Sequence, residues 1–85
     1  MDKIVIVGAT SGIGYEVAKD FIELGWNVGV AGRRKEALDE LVALAPDRVK
    51  AGVIDILTDD APEMLESLIE RLGGMDVYFH TSGIG

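Results

Sequence analysis

Three glycines in seven residues, Gly8-Ala9-Thr10-Ser11-Gly12-Ile13-Gly14, link a β-branched run, Ile4-Val5-Ile6-Val7, to an amphipathic stretch. Glycines at such points permit positive φ, let backbone approach a pyrophosphate with no Cβ in the way, and allow a helix to pack tightly on a strand. An anion held there meets the N-terminus of the following helix. A merely tight turn is the bland alternative, and the strand before and helix after favour a nucleotide-cofactor loop. The spacing is G-x-x-x-G-x-G, and no Gly-Lys-Ser/Thr follows, which argues against a P-loop.

A second group is Arg33-Arg34-Lys35, three of the chain's eight basic residues set among fifteen acids. It falls where a second helix is expected to start, and cations at a helix N-terminus oppose the macrodipole by a few tenths of a kcal/mol each. One reading is a solvated charge run with an i, i+4 pair between Lys35 and Asp39. The other is a phosphate contact. A site selective for NAD places Asp or Glu near the end of the second strand for the adenosine ribose, whereas Gly32-Arg33 suits bidentate contact with a 2'-phosphate, so NADP(H) is the expected cofactor. Arg34 could instead stack its guanidinium across the adenine face. Asp55, after the third strand, is a site candidate or an ordinary turn residue. His80 is expected to have its ring nitrogens satisfied locally and is assigned no role.

The glycine spacing, Asp55-Ile56 and the turn after a fourth strand together resemble the short-chain dehydrogenase/reductase family, over the whole of the chain. Val7 stands where the family's glycine motif usually begins with Thr, and His80-Thr81-Ser82-Gly83 stands where it usually reads Asn-Asn-Ala-Gly. The resemblance implies that the Ser11 and Ile13 region cradles phosphate, that Asp55 and Ile56 meet the adenine ring, and that Ser82 and Gly83 approach the cofactor ribose. Tyr15-Glu16-Val17-Ala18-Lys19 spells the family's catalytic Tyr-x-x-x-Lys. In the family that pair lies on a helix well downstream, preceded by a catalytic Ser, so here the match reads as accidental and Lys19 as a surface residue. No residue of the chain is expected to be catalytic.

These candidates need elements to hold them. Strand one is read over Ile4–Val7, and helix one follows from Ile13, Val17, Phe21 and Leu24 until Gly25. Strand two is Val28–Ala31, and helix two carries Ala37, Leu38, Leu41, Val42 and Leu44 before Pro46. Strand three runs from about Val49 to Ile54. Asp60-Ala61-Pro62-Glu63 reads as a capped start to helix three, which carries Met64, Leu65, Leu68, Ile69 and Leu72 up to Gly73-Gly74. Strand four is Met75–Phe79. The alternation predicts an α/β, Rossmann-like, doubly wound parallel sheet in the order 3-2-1-4, with helices one and two on one face and helix three on the other. Val77, Tyr78 and Phe79 are expected to form an uncovered edge.

The chain has 85 residues, a net charge of −7 and no cysteine. That length allows one domain, read over residues 1–85 as the N-terminal, dinucleotide-binding half of a longer oxidoreductase domain. The acidic balance argues against nucleic acid and anionic membrane as partners. Without cysteine and with one histidine, a metal cofactor is not expected. Met1-Asp2-Lys3 leads straight into Ile4 without signal-peptide architecture, so the expectation is a cytoplasmic protein. The expected function is the NADP(H)-binding part of an enzyme moving hydride between NADPH and a small-molecule carbonyl or alcohol substrate, as a homo-oligomer. The alternative is a non-catalytic nucleotide-binding module or regulatory fragment. A methyltransferase-like domain is disfavoured because the second strand ends without an acid.

Overall fold

Ile4, Val5, Ile6 and Val7 are each at most 2% exposed, a burial that requires cover on both faces of the strand. The structure, a computed structural model, describes residues 2–10 and 12–81. Among these, β1 (Lys3–Val7), α1 (Gly12–Glu23), β2 (Asn27–Gly32), α2 (Lys35–Leu44), β3 (Val49–Val53), α3 (Ala61–Leu72) and β4 (Val77–His80) alternate along the chain. The strands pair in parallel in the order β3-β2-β1-β4, as expected. Val7 stands opposite Ala31 on one side and His80 on the other, so three strand ends lie level.

The pleat divides the core. Ile4, Ile6, Val28 and Val30 meet Ala18, Ile22, Leu38 and Leu41 from α1 and α2, while Val5, Val7 and Ala31 meet Leu68 and Leu72 from α3. Gly29 lets α3 come close, because a Cβ there would stand 3.3 Å from Leu72 Cδ2. Helices α1 and α3 stop in the same way. Gly25 and Gly73 have φ of +91° and +92°, and paired bonds (Gly25 N–H to Ile22 O with Trp26 N–H to Phe21 O, and Gly73 N–H to Glu70 O with Gly74 N–H to Ile69 O) close both ends as Schellman motifs. Arg48 Nη1 adds donations to the carbonyls of Ile22 and Trp26.

Several local expectations are corrected. The fully buried stripe of α1 is Gly14, Ala18 and Ile22; Val17 and Phe21 pack half-buried against the same core as expected, whereas Ile13 and Leu24 are 71% and 70% exposed. The helix is rotated by about one residue, roughly 100°, because its small residues face the strand it must approach closely. Leu44 is also exposed. Asp60 occupies the N-cap of α3 without a side-chain cap. Its φ of −92° and ψ of 4° lie outside the extended region that capping needs, and its Oδ1 accepts from Thr58 Oγ1 instead. Strand β4 starts at Val77, not Met75. Val77 and Tyr78 are exposed, but Phe79 packs against the α1 side of the core.

Leu68 is fully buried beneath the sheet, whereas Leu57 is 84% exposed. In equilibrium urea unfolding, Leu68→Ala should lower stability by about 2–5 kcal/mol. Leu57→Ala should change it by less than about 0.5 kcal/mol.

Candidate functional site

The carboxyl ends of β1, β2 and β3 carry the described candidates, and the glycine loop is built by close approach. Gly8 has a φ of +86°, and a Cβ on it would overlap the Thr81 hydroxyl. A Cβ on Gly14 would overlap the Gly8 carbonyl, which is why α1 can lie so near β1. Gly12 differs, since a Cβ there would meet nothing within 4 Å. Its backbone therefore borders open space at the first residue of α1, where a helix offers unsatisfied N–H groups. The loop is anchored to its neighbours. The N–H groups of Gly8 and Ala9 donate to Ala31 O, and Thr81 donates its N–H to Val7 O and its hydroxyl to the carbonyls of Val7 and Gly8. Thr10 packs over the end of β2, so that a Cβ on Gly32 would run into its side chain.

Beside Gly32 opens a shallow groove of about 370 Å³ lined by Arg33, Val53, Asp55, Thr58, Asp60 and Met64. Arg33 and Arg34 are exposed and make no ion pair or hydrogen bond through their side chains among the described residues. Arg34 is the N-cap of α2 and cannot accept the bond a capping side chain usually takes. Lys35 takes the bland course, pairing with Asp39 at 2.9 Å one turn on. Asp55 Oδ1 accepts from the Leu57 N–H, and Thr58 donates its hydroxyl to the Asp55 carbonyl. Asp55 is thus a turn residue and a groove residue together. Ile56, next to it, is exposed.

Tyr15 and Lys19 stand away from that groove. The Tyr15 hydroxyl donates to Glu40 Oε1 at 2.8 Å, and Lys19 Nζ lies 5.9 Å from the Tyr15 ring centroid. The Glu40 hydrogen bond, with smaller contributions from desolvation and the charges of Glu40 and Glu16, raises the Tyr15 pKa above the ordinary tyrosine value. A proton donor working near neutral pH needs the opposite shift. His80 Nδ1 hydrogen-bonds the Tyr78 hydroxyl at 3.1 Å, a local partner of the expected kind.

Gly8 and Thr10 thus lie on the loop after β1 and Gly12, Ile13 and Gly14 in the first turn of α1, while Arg33 and Asp55 line one groove and Arg34 is the N-cap of α2. Ser11, Ser82 and Gly83 lie outside the described residues. Sequence reasoning missed Thr81 as the tether of Gly8, and Thr58, Asp60 and Met64 as groove walls. Thr81 had a signal, since it sits in the turn after β4, level with the glycine loop. The groove walls had none, because their convergence depends on how α3 is docked.

Residues 2–85 match the family model of the short chain dehydrogenases. The chain is 36% identical over 86 residues to a 3alpha-hydroxysteroid dehydrogenase of Mediterraneibacter gnavus, covering 94% of this chain and 34% of that protein. A short-chain dehydrogenase structure from Streptomyces avermitilis superposes with a TM-score of 0.80 at 33% identity, covering 91% of this chain and 29% of that one. A 3-ketoacyl-(acyl-carrier-protein) reductase from Brucella melitensis, complexed with NADH, gives 0.80 at 26% identity over 91% of this chain and 32% of that one. The chain spans about a third of the length of the curated relatives it matches. No helix among the described residues is long and apolar enough to cross a membrane.

The raised Tyr15 pKa has a testable consequence. Because the folded-state value lies above the unfolded one, the stabilisation from the Glu40 bond is complete below the unfolded tyrosine pKa and is lost as pH rises through the folded one. Alkaline absorbance titration, with Tyr15→Phe as the subtraction control, should show Tyr15 ionising above its ordinary value. Glu40→Gln should bring it back down.

Proposed function

Because the chain belongs to the short-chain dehydrogenase/reductase family, we propose that it forms the cofactor-binding part of an NADP(H)-dependent oxidoreductase acting on a small-molecule carbonyl or alcohol. The family binds a nicotinamide cofactor, NAD or NADP. The observation that carries the NADP(H) reading is Arg33, an exposed cation, without an ion pair among the described residues, lining the groove at the end of β2, where selectivity for NAD calls for an acid. The described residues fit a dinucleotide. Gly12 leaves the space of its absent Cβ open at the start of α1, and the groove offers a cation facing acceptors.

In this reading Gly8, Thr10 and Ser11, with Gly12, Ile13 and Gly14 at the start of α1, bind the diphosphate through backbone. Arg33 and Arg34 bind the 2'-phosphate, Asp55 and Ile56 orient the adenine ring, and Ser82 and Gly83 meet a ribose. When bound, the cofactor's nicotinamide supplies the hydride transfer. This segment's share is to bind and orient, and Tyr15, held by Glu40, moves no proton in the reaction. Relatives about three times as long support reading residues 1–85 as one part of a longer oxidoreductase domain.

Arg33→Asp should weaken NADPH binding more than NADH binding, because a charge-assisted contact worth about 1.5–3 kcal/mol becomes a repulsion. Lys35→Ala should leave the ratio of the two affinities unmoved, since its ammonium is engaged by Asp39. Titrations of both cofactors at matched salt read the result, and equal losses in Arg33→Asp would remove Arg33 from the phosphate site. Gly12→Ala should weaken both cofactors while leaving thermal stability unchanged or raised by less than about 1 kcal/mol. A loss of stability there would show the glycine serving the fold instead.

A further inference from the structure

The groove that Arg33 lines is bipolar. Its other walls include two carboxylates, Asp55 and Asp60, and no second cation is among its lining residues. Asp60 is exposed, provides no side-chain cap to α3, and uses Oδ1 only to accept from Thr58 Oγ1. Its charge is therefore not needed to start the helix. We propose that Asp60 is a specificity-determining residue that limits the preference of this groove for NADP(H) over NAD(H), its carboxylate opposing the phosphate that Arg33 attracts. The inference rests on the reading of Arg33 as the 2'-phosphate contact and adds a second residue, of opposite sign, to that site.

A phosphate monoester carries about −1.5 to −2 charges at neutral pH, whereas the ribose of NAD(H) carries none there. A groove of about 370 Å³ is on the order of 7 Å across, and Coulomb's law at that range in a mostly aqueous medium makes one carboxylate worth about threefold to tenfold in phosphate affinity. The effect must be selective, since the charge it acts on is the one feature that distinguishes the cofactors. It must also be screened by salt. Asp55 is a poorer probe, because its carboxylate also takes the Leu57 N–H and, in the proposed reading, orients the adenine that both cofactors share. Asp59 is the natural control, an exposed acid next in sequence that does not line the groove.

The test measures dissociation constants of NADPH and NADH for the full natural chain and for Asp60→Asn, Asp60→Glu, Asp59→Asn and Arg33→Ala. At low salt Asp60→Asn should tighten NADPH by about threefold to tenfold and leave NADH within about twofold, with most of the gain gone at about 0.5 M salt. Asp60→Glu, which keeps the charge, should behave as the parent, and Asp59→Asn should shift the NADPH-to-NADH ratio by less than half as much. An unmoved ratio in Asp60→Asn, or an equal shift in Asp59→Asn, overturns the inference. If Arg33→Ala also leaves the ratio unmoved, the reading of Arg33 falls and takes this inference with it. If Arg33→Ala lowers the ratio while Asp60→Asn does not change it, the failure is confined to Asp60.

Discussion

A Cβ on Gly14 would occupy the space of the Gly8 carbonyl, and one on Gly8 would occupy that of the Thr81 hydroxyl. Three segments therefore meet at the end of β1 with no room for a side chain between them. This crowding is what brings the first turn of α1 against the sheet, and it requires the polar groups there to satisfy one another. They do so, since Ala31 O receives the N–H groups of Gly8 and Ala9 while Thr81 covers the carbonyls of Val7 and Gly8. The family usually has Asn at that position. Thr supplies the needed donor with a shorter, β-branched side chain whose χ1 is restricted.

The same packing sets the spacing between the loop and the groove that Arg33 lines. Thr10 lies where a Cβ on Gly32 would be, so the loop rests on the last residue of β2, and Arg33 begins directly after it. Ile54, just past β3, donates its N–H to Gly32 O and buries its side chain on the α3 side. The Thr10 side chain and the Ile54–Gly32 backbone bond thus fix how far the start of α1 stands from Arg33. Only the guanidinium itself is free to adjust.

Strand order, layer assignment and the helix stops were legible because each depends on a local rule. A continuous β-branched run such as Ile4-Val5-Ile6-Val7 means burial on both faces, and glycine after an amphipathic series means an αL stop. The face of α1 was misread in part, since Val17 and Phe21 pack against the core but Ile13 and Leu24 do not, for a reason the hydrophobic pattern cannot contain. Ile13, Val17, Phe21 and Leu24 form the more apolar stripe, yet Gly14 and Ala18 are the residues small enough for contact with β1, and closeness prevailed over hydrophobicity. That rotation leaves Ile13 exposed beside the loop. Asp60 was misread similarly, as a cap inferred from residue type where the backbone conformation decides.

Charge shows the same dependence on position. Arg33, Arg34 and Lys35 are consecutive and chemically alike, yet α2 begins at Lys35, and helical geometry puts only that residue one turn from Asp39. Arg34 is half outside the helix and Arg33 wholly outside, so neither has an i+4 acid on its own face. The boundary of one helix thus divides a run of three cations into one neutralised by its own helix and two without an ion pair among the described residues. Tyr15 and Lys19 illustrate the converse. They have the spacing of a catalytic pair, but Glu40 on the neighbouring helix accepts a hydrogen bond from the phenol and makes its proton harder to release. In both places the residues within reach, rather than the residue types in the string, decide which chemistry is possible.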